Sequence, residues 1–270
     1  MSPVSGVGRV NLKAEVTVGR ADIGAHAAPS KGSASRFLLA LLGLVGVLVF
    51  LALGIWQLER RVWKLDLIAR VDQRIHAPVV DAPGPAPWAD INAAGYEYRH
   101  VRLTGSFSGG ANTLVKAVTE LGGGYWVLTP MRGDRGFTVL VNRGFVPQER
   151  KAEFQQESGG LESPTTVDGL LRISEPGGGF LRSNDPAADR WYSRDVVAIA
   201  KARGLTDVAP YFIDAGPSGA EIWPRGGLTV VTFRNSHLAY ALTWFALAAM
   251  LAIAIARPIL GWRRKRDAAR

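Results

Sequence analysis

Residues 37–58 read FLLALLGLVGVLVFLALGIWQL, and this stretch decides the architecture of the chain. It carries no charge over 22 positions, and as an α-helix it would rise about 33 Å, which matches the hydrocarbon thickness of a bilayer. A second run at residues 238–260, LAYALTWFALAAMLAIAIARPIL, is uncharged up to Ala256. Arg257 lies close enough to the end to extend its guanidinium to the headgroups. The two runs predict two transmembrane helices.

Basic residues are concentrated at the two ends of the chain. Residues 1–36 carry a net charge of +3 and residues 257–270 a net charge of +5, out of +9 in total. Short basic tails stay in the cytoplasm, so we expect an integral membrane protein with both termini cytoplasmic and residues 59–237 extracytoplasmic. Arg60, Arg61 and Lys64 disagree with this rule, because they follow the first span on the outer side.

The first apolar run could also be a secretory signal that is cleaved from the protein. Ala52 and Gly54 offer a weak cleavage pattern for a secretory signal, but the preceding tail is long for such a signal and Trp56 suits a membrane interface.

The tail at residues 1–36 is mostly polar without periodicity, which predicts disorder. Residues 261–270 form a basic cytoplasmic tail. The chain has no cysteine, which excludes disulfides and thiolate metal sites.

The region between the spans is long enough for one compact domain. Apolar residues at helical spacing predict that the first helix continues through residues 59–76, until Pro78 stops it. A short helix is expected at residues 195–203, with Ser193 or Asp195 as N-cap and Gly204 after its end.

The rest of this region has the period of two that is typical of strands. Residues 101–107 and 114–115 predict one hairpin through Gly109 and Gly110, and residues 125–129 and 137–142 predict a second. Further strands are expected at residues 167–173, 211–214 and 229–233. The fold class is therefore membrane α+β: two transmembrane helices flank a mainly antiparallel β domain, either a sheet or a partly closed barrel, with a short helix.

Motifs of catalysis are missing from the sequence. Residues 216–220 lack the final glycine of a nucleophile elbow, and the glycines at 122–124 are not followed by the lysine of a phosphate loop. His76 and His100 have no second ligand at metal spacing. We therefore expect a protein that is not an enzyme.

His237 is different, because it lies one residue before the second span. Tyr240 and Trp244 follow at i+3 and i+7 on the same helix face, so a flat apolar cofactor with a metal centre could bind there. The two rings equally suit the ordinary aromatic belt of a membrane protein. Trp56, Gln57 and Trp63 would lie at the same outer interface, and the alanines of the second span permit close helix approach. The two ends could form a shared pocket, or they could simply be two anchors.

Six blocks resemble the surfeit-locus-one family of cytochrome c oxidase assembly proteins, in the family's order. They are LGIWQL at residues 53–58 with Arg60, Trp63 and Lys64 after it, GYWVLTP at 124–130, VLVNRGFVP at 139–147, WYSRD at 191–195, PYFID at 210–214 and NSHLAYALTWF at 235–245. Phe145 departs from the family's usual tryptophan, and Ser236 interrupts its usual Asn-His pair.

The resemblance implies a helper in oxidase maturation, associated with transient haem A binding and delivery to the haem-bearing subunit of cytochrome c oxidase. It implies that His237 is the haem iron ligand, with Tyr240, Trp244 and Trp56 in the cofactor site. Asn142 and Arg143 could contact haem propionates or the partner subunit, or Arg143 could pair with a nearby acid in a β-turn. The two-span topology alone would also suit an extracytoplasmic sensor or binding module without haem contact.

Overall fold

The computed structural model describes residues 31–109, 112–157, 163–179, 181–219 and 221–267. The chain divides into two compact units, a helical unit formed by residues up to Ala52 together with residues from Trp244, and a domain from Leu53 to Thr243. Residues 1–30 of the predicted disordered tail lie outside the described residues.

The helical unit contains the start of α1 (Lys31–Ile75) and most of α5 (His237–Asp267). Both helices are long and apolar enough to cross a membrane, over Phe37–Ile75 and His237–Pro258. α1 begins six residues before the predicted first span, so residues 31–36 are helical, and α5 continues past the predicted end of the second span.

Small residues bring the two helices of this unit into close contact. A Cβ atom on Gly43 would lie 2.5 Å from Cδ1 of Ile255, and one on Gly46 would lie 2.8 Å from Cδ2 of Leu251. A larger residue at either glycine would have to displace the side chain that it faces. The two helices do approach closely, and these contacts are at glycines of the first span rather than at the alanines of the second span.

The domain begins with the second part of α1. The helix continues without a break to Ile75, as the spacing of its apolar residues predicted. The strands that follow are β1 (Val80–Asp81), β2 (His100–Phe107), β3 (Thr113–Thr119), β4 (Gly122–Gly133), β5 (Thr138–Pro147), β6 (Thr165–Ile173) and β7 (Val208–Ala215). The short helices are α2 (Ala93–Tyr96), α3 (Lys151–Gln155) and α4 (Val196–Ala202), with 3₁₀ turns at Trp88–Asp90, Gln148–Arg150 and Pro186–Ala188.

Five strands close into a barrel in the order β2, β6, β7, β5 and β4, because β4 also pairs with β2. β1 adds to β2 on one side and β3 to β4 on the other. The pairings are antiparallel except for β1 with β2 and β5 with β7. The predicted barrel of mainly antiparallel strands is confirmed.

Both faces of the central strands are buried. On β7, Tyr211 and Ile213 pack inside the barrel, while Phe212 packs outward in a second cluster with Val196 and Ile199 of α4. α4 begins at the N-cap Asp195, whose carboxylate accepts a hydrogen bond from the backbone N–H of Ala198. The helix predicted at residues 195–203 is therefore confirmed, and Gly204 follows it with φ of 63°.

Two strand predictions differ from the structure. The hairpin of residues 125–129 with 137–142 forms as β4 and β5, but β2 does not pair with β3. It pairs with β6 and the end of β4 instead, because its alternating pattern specifies which face is buried and not which strand lies beside it. Residues 229–233 form no strand, although their composition favours one. Thr229 there donates its hydroxyl to a carboxylate oxygen of Asp214 at 2.9 Å, a tertiary contact that local propensity does not report.

Candidate functional site

His237 is the first residue of α5 and is half-buried. Its Nδ1 lies 2.7 Å from Oε1 of Gln57 on α1. The contact is a hydrogen bond when Nδ1 carries the proton, since an amide oxygen can only accept, and in that tautomer of the neutral ring Nε2 keeps its lone pair. Within the described residues Nε2 has no hydrogen-bond partner, so this lone pair is available to a ligand.

The side chain of Asn235, two residues earlier, also contacts His237. Oδ1 of Asn235 accepts a hydrogen bond from the backbone N–H of His237 at 3.4 Å, which is long for such a bond. Asn235 therefore contacts His237 although Ser236 separates them in sequence. Ser236 interrupts the Asn-His pair that is usual in the family, but it does not prevent a contact between Asn235 and His237.

A pocket of about 320 Å³ lies beside the imidazole. It is lined by Lys64, Arg234, Ser236, His237 and Tyr240. This volume is at the lower end of the range of about 300–1,000 Å³ that is typical of ligand pockets. The pocket combines one imidazole, an aromatic ring and two cationic side chains.

The structure brings together two of the four predicted site residues. His237 and Tyr240 line the same pocket, whereas Trp56 is half-exposed on α1 and is not part of the lining. Trp244 belongs to the helical unit, where its ring stacks on Phe50 with centroids 5.7 Å apart. Trp63, near the end of the first span, lies under the guanidinium of Arg60 at 4.2 Å.

Sequence reasoning assigned no cofactor role to three residues of this site. Gln57 is one of the residues expected at the outer interface, where the two span ends could form a shared pocket, and the structure pairs it with His237, 180 positions away. Lys64 lies in the first block that resembles the family, and it also disagrees with the charge rule for topology. Arg234 carries no signal beyond its place three residues before His237.

The single imidazole of His237 suits a metal that is already bound in a macrocycle. Within the described part of the chain, no group of three or more His, Cys, Asp or Glu side chains is placed to hold a bare metal ion. A haem iron already has four ring nitrogens and takes one or two axial ligands from the protein, most often histidine. A single imidazole whose other nitrogen donates to a carbonyl has the usual geometry of such a ligand.

Asn142 and Arg143 are committed to contacts within the domain. Nη1 of Arg143 lies 2.5 Å from Oε2 of Glu157, so the expected pairing of Arg143 with a nearby acid is confirmed. The expected β-turn is wrong, because Arg143 lies within strand β5. Nδ2 of Asn142 donates to Oδ1 of Asp214 at 2.7 Å. Neither side chain is free to bind a cofactor carboxylate.

Asp214 is the centre of a buried charge network in the barrel. Its side chain is 4% exposed and accepts from Arg172 and Arg194 at 3.1 Å each. Arg194 also pairs with Glu175. Burial raises the pKa of Glu175, but the hydrogen bonds and the charge of Arg194 outweigh it and hold the pKa below its usual value. The network joins β6 and β7, and through Thr229 it holds the segment that leads to His237.

Comparisons with known proteins cover the whole site. The sequence pattern of the SURF1 family matches residues 44–249, which include every residue of the pocket. Surfeit locus protein 1 of Homo sapiens is 36% identical over 247 residues, covering 83% of this chain and 78% of the human protein. Surfeit locus protein 1 of Mus musculus is also 36% identical, covering 83% and 76%. The SURF1-like protein of Drosophila melanogaster is 31% identical, covering 73% and 69%.

Proposed function

This chain belongs to the SURF1 family of cytochrome oxidase assembly factors, and on that premise we propose that it assists the insertion of haem A into the haem-bearing subunit of cytochrome c oxidase. The observation that carries the haem part is the bond between His237 Nδ1 and Gln57 Oε1, which leaves Nε2 as an electron-pair donor toward the pocket. Membership of an assembly-factor family supports a role in assembly and not in catalysis.

The residues of the site would act by holding and releasing the cofactor. His237 would hold bound haem by its imidazole, and haem would supply an iron that accepts a nitrogen ligand. Gln57 orients the imidazole and fixes its tautomer, while Tyr240 presents an aromatic ring to the same pocket. One axial ligand in an open pocket gives weak, exchangeable binding, which suits a cofactor that must be handed to another protein.

The membrane arrangement belongs to the same proposal. Two apolar helices and two basic tails support a bacterial cell-membrane protein with both termini in the cytoplasm and the barrel domain outside. Cysteine labelling tests this, because the chain has no natural cysteine. A membrane-impermeant reagent on intact cells should label Glu120→Cys in the domain and not Ala269→Cys at the end of the chain. Labelling of the second variant alone would refute the orientation.

The haem contact is tested by absorption spectra of the detergent-purified protein, produced alongside haem A synthesis. The wild type should retain haem, and His237→Ala should retain at most a small fraction of it. His76→Ala is the matched control, because His76 is an exposed histidine at the end of α1 that does not line the pocket. Equal haem content in wild type and His237→Ala would exclude His237 as the ligand.

The role in assembly has a separate readout. Membranes from cells that lack this protein should contain oxidase with deficient haem, measured by reduced-minus-oxidised difference spectra. Normal oxidase absorbance in those membranes would count against the proposed function whatever the purified protein binds.

A further inference from the structure

The pocket beside His237 contains two cations without an anion. Lys64 on α1 is half-buried and Arg234 is exposed, and both line the pocket. Within the described residues neither side chain forms an ion pair. Glu59 and Asp66, the nearest acids along α1, make none with Lys64.

Three arginines that are largely buried in the domain differ in this respect. Arg143, Arg172 and Arg194 each pair with a carboxylate at 3.1 Å or less. Two unpaired cations on one pocket repel each other, and an anionic group placed between them would relieve that repulsion. The pocket therefore has the electrostatics of an anion site beside a metal ligand.

We propose that Lys64 and Arg234 bind the carboxylate side chains of the tetrapyrrole whose metal is ligated by His237, an inference that rests on the proposed function. Arginine offers a planar fork that matches a carboxylate, and lysine offers a compact point charge. The imidazole would hold the metal and the two cations would hold the carboxylates. The tetrapyrrole would then bind with its carboxylate-bearing edge at Lys64 and Arg234. Arg143 cannot take this role, because Glu157 already occupies it.

The test separates metal ligation from carboxylate binding by the choice of porphyrin. The full-length protein in an uncharged detergent is titrated with iron protoporphyrin IX, with metal-free protoporphyrin IX, and with the dimethyl esters of both. Binding is followed by quenching of tryptophan fluorescence. The wild type should bind each free diacid more tightly than its diester.

Lys64→Gln and Arg234→Gln should each weaken binding of the diacids about 3- to 10-fold, as expected for a partly exposed charged hydrogen bond, and leave binding of the diesters unchanged. Lys64→Arg should restore most of the affinity. His237→Ala should weaken binding of the iron porphyrins only. Arg70→Gln is the matched control, because Arg70 is a cation of α1 outside the pocket. Thermal unfolding of each variant checks that it is folded.

Three results would overturn the inference. If wild type binds diacid and diester equally, the cations do not recognise carboxylates, while the proposed haem contact stands. If the variants differ from wild type only when phosphatidylglycerol is added, the cations bind lipid phosphate. If no porphyrin binds at all, the haem part of the proposed function fails and this inference fails with it.

Discussion

Replacing Asp214 with asparagine tests whether the buried charge network holds the barrel together. The substitution keeps the shape of the side chain and removes its charge. Asp214 accepts hydrogen bonds from Asn142 at 2.7 Å, Thr229 at 2.9 Å, and Arg172 and Arg194 at 3.1 Å each. An amide cannot accept all four, since one of its two polar atoms is a donor.

The size of the destabilisation depends on the ion pairs that Arg172 and Arg194 retain after the substitution. Removing one partner of a buried ion pair costs about 3–5 kcal/mol, because the remaining charge is left without compensation. Here Arg194 still pairs with Glu175 and Arg172 with Glu97, so the lower end of about 3 kcal/mol is expected. For a domain of this size, that lowers Tm by about 6–12 °C.

The assay is thermal unfolding of the detergent-purified protein, followed by near-ultraviolet circular dichroism. Asp168→Asn is the matched control, since its pair with Arg102 is about half-exposed and solvent screens it. Its effect on Tm should be several-fold smaller. A Tm of Asp214→Asn within 2 °C of wild type, or equal shifts for both variants, would refute the assignment of stability to the network.

Three further outcomes follow from other contacts. Arg194 lowers the pKa of Glu175 in the folded protein. The contribution of Glu175 to stability is therefore complete above the pKa that this residue has in the unfolded chain, and it is lost as pH falls through the pKa that it has in the folded protein. Glu175→Gln should therefore flatten the acid limb of a Tm-against-pH curve. Gly144→Ala should destabilise by at least about 2 kcal/mol in urea unfolding, because φ is 137° and a Cβ would lie 2.3 Å from neighbouring backbone. Gly136→Ala, with φ of 83° and nothing within 4 Å, should cost only about 1 kcal/mol. Gln57→Leu should lower haem affinity about 10- to 100-fold in a spectral titration, through loss of the bond that orients the ligand.

The features predicted correctly from sequence are those that neighbouring residues control. The helical stretches at 37–58 and 238–260 follow from length and apolar composition, and the hairpin of β4 and β5 follows from strand propensity around a short glycine-containing loop. The pairing of β2 with β6 links residues more than 60 positions apart, for example Arg102 with Asp168. No local pattern distinguishes that neighbour from β3, so the predicted first hairpin was wrong.

The candidate site also has one part that the sequence indicates and another part that only the structure reveals. His237 could be identified from its sequence, because a titratable residue at the edge of an apolar run is unusual and needs a reason. Its proton position, its partner Gln57 and the two cations of its pocket depend on α1 and α5 meeting in three dimensions. The sequence alone determined two apolar helices, a β domain and one histidine, because each is encoded within a short stretch. Only the tertiary structure decided which nitrogen of that histidine is free and which charges surround it, because those depend on residues that are distant in the chain.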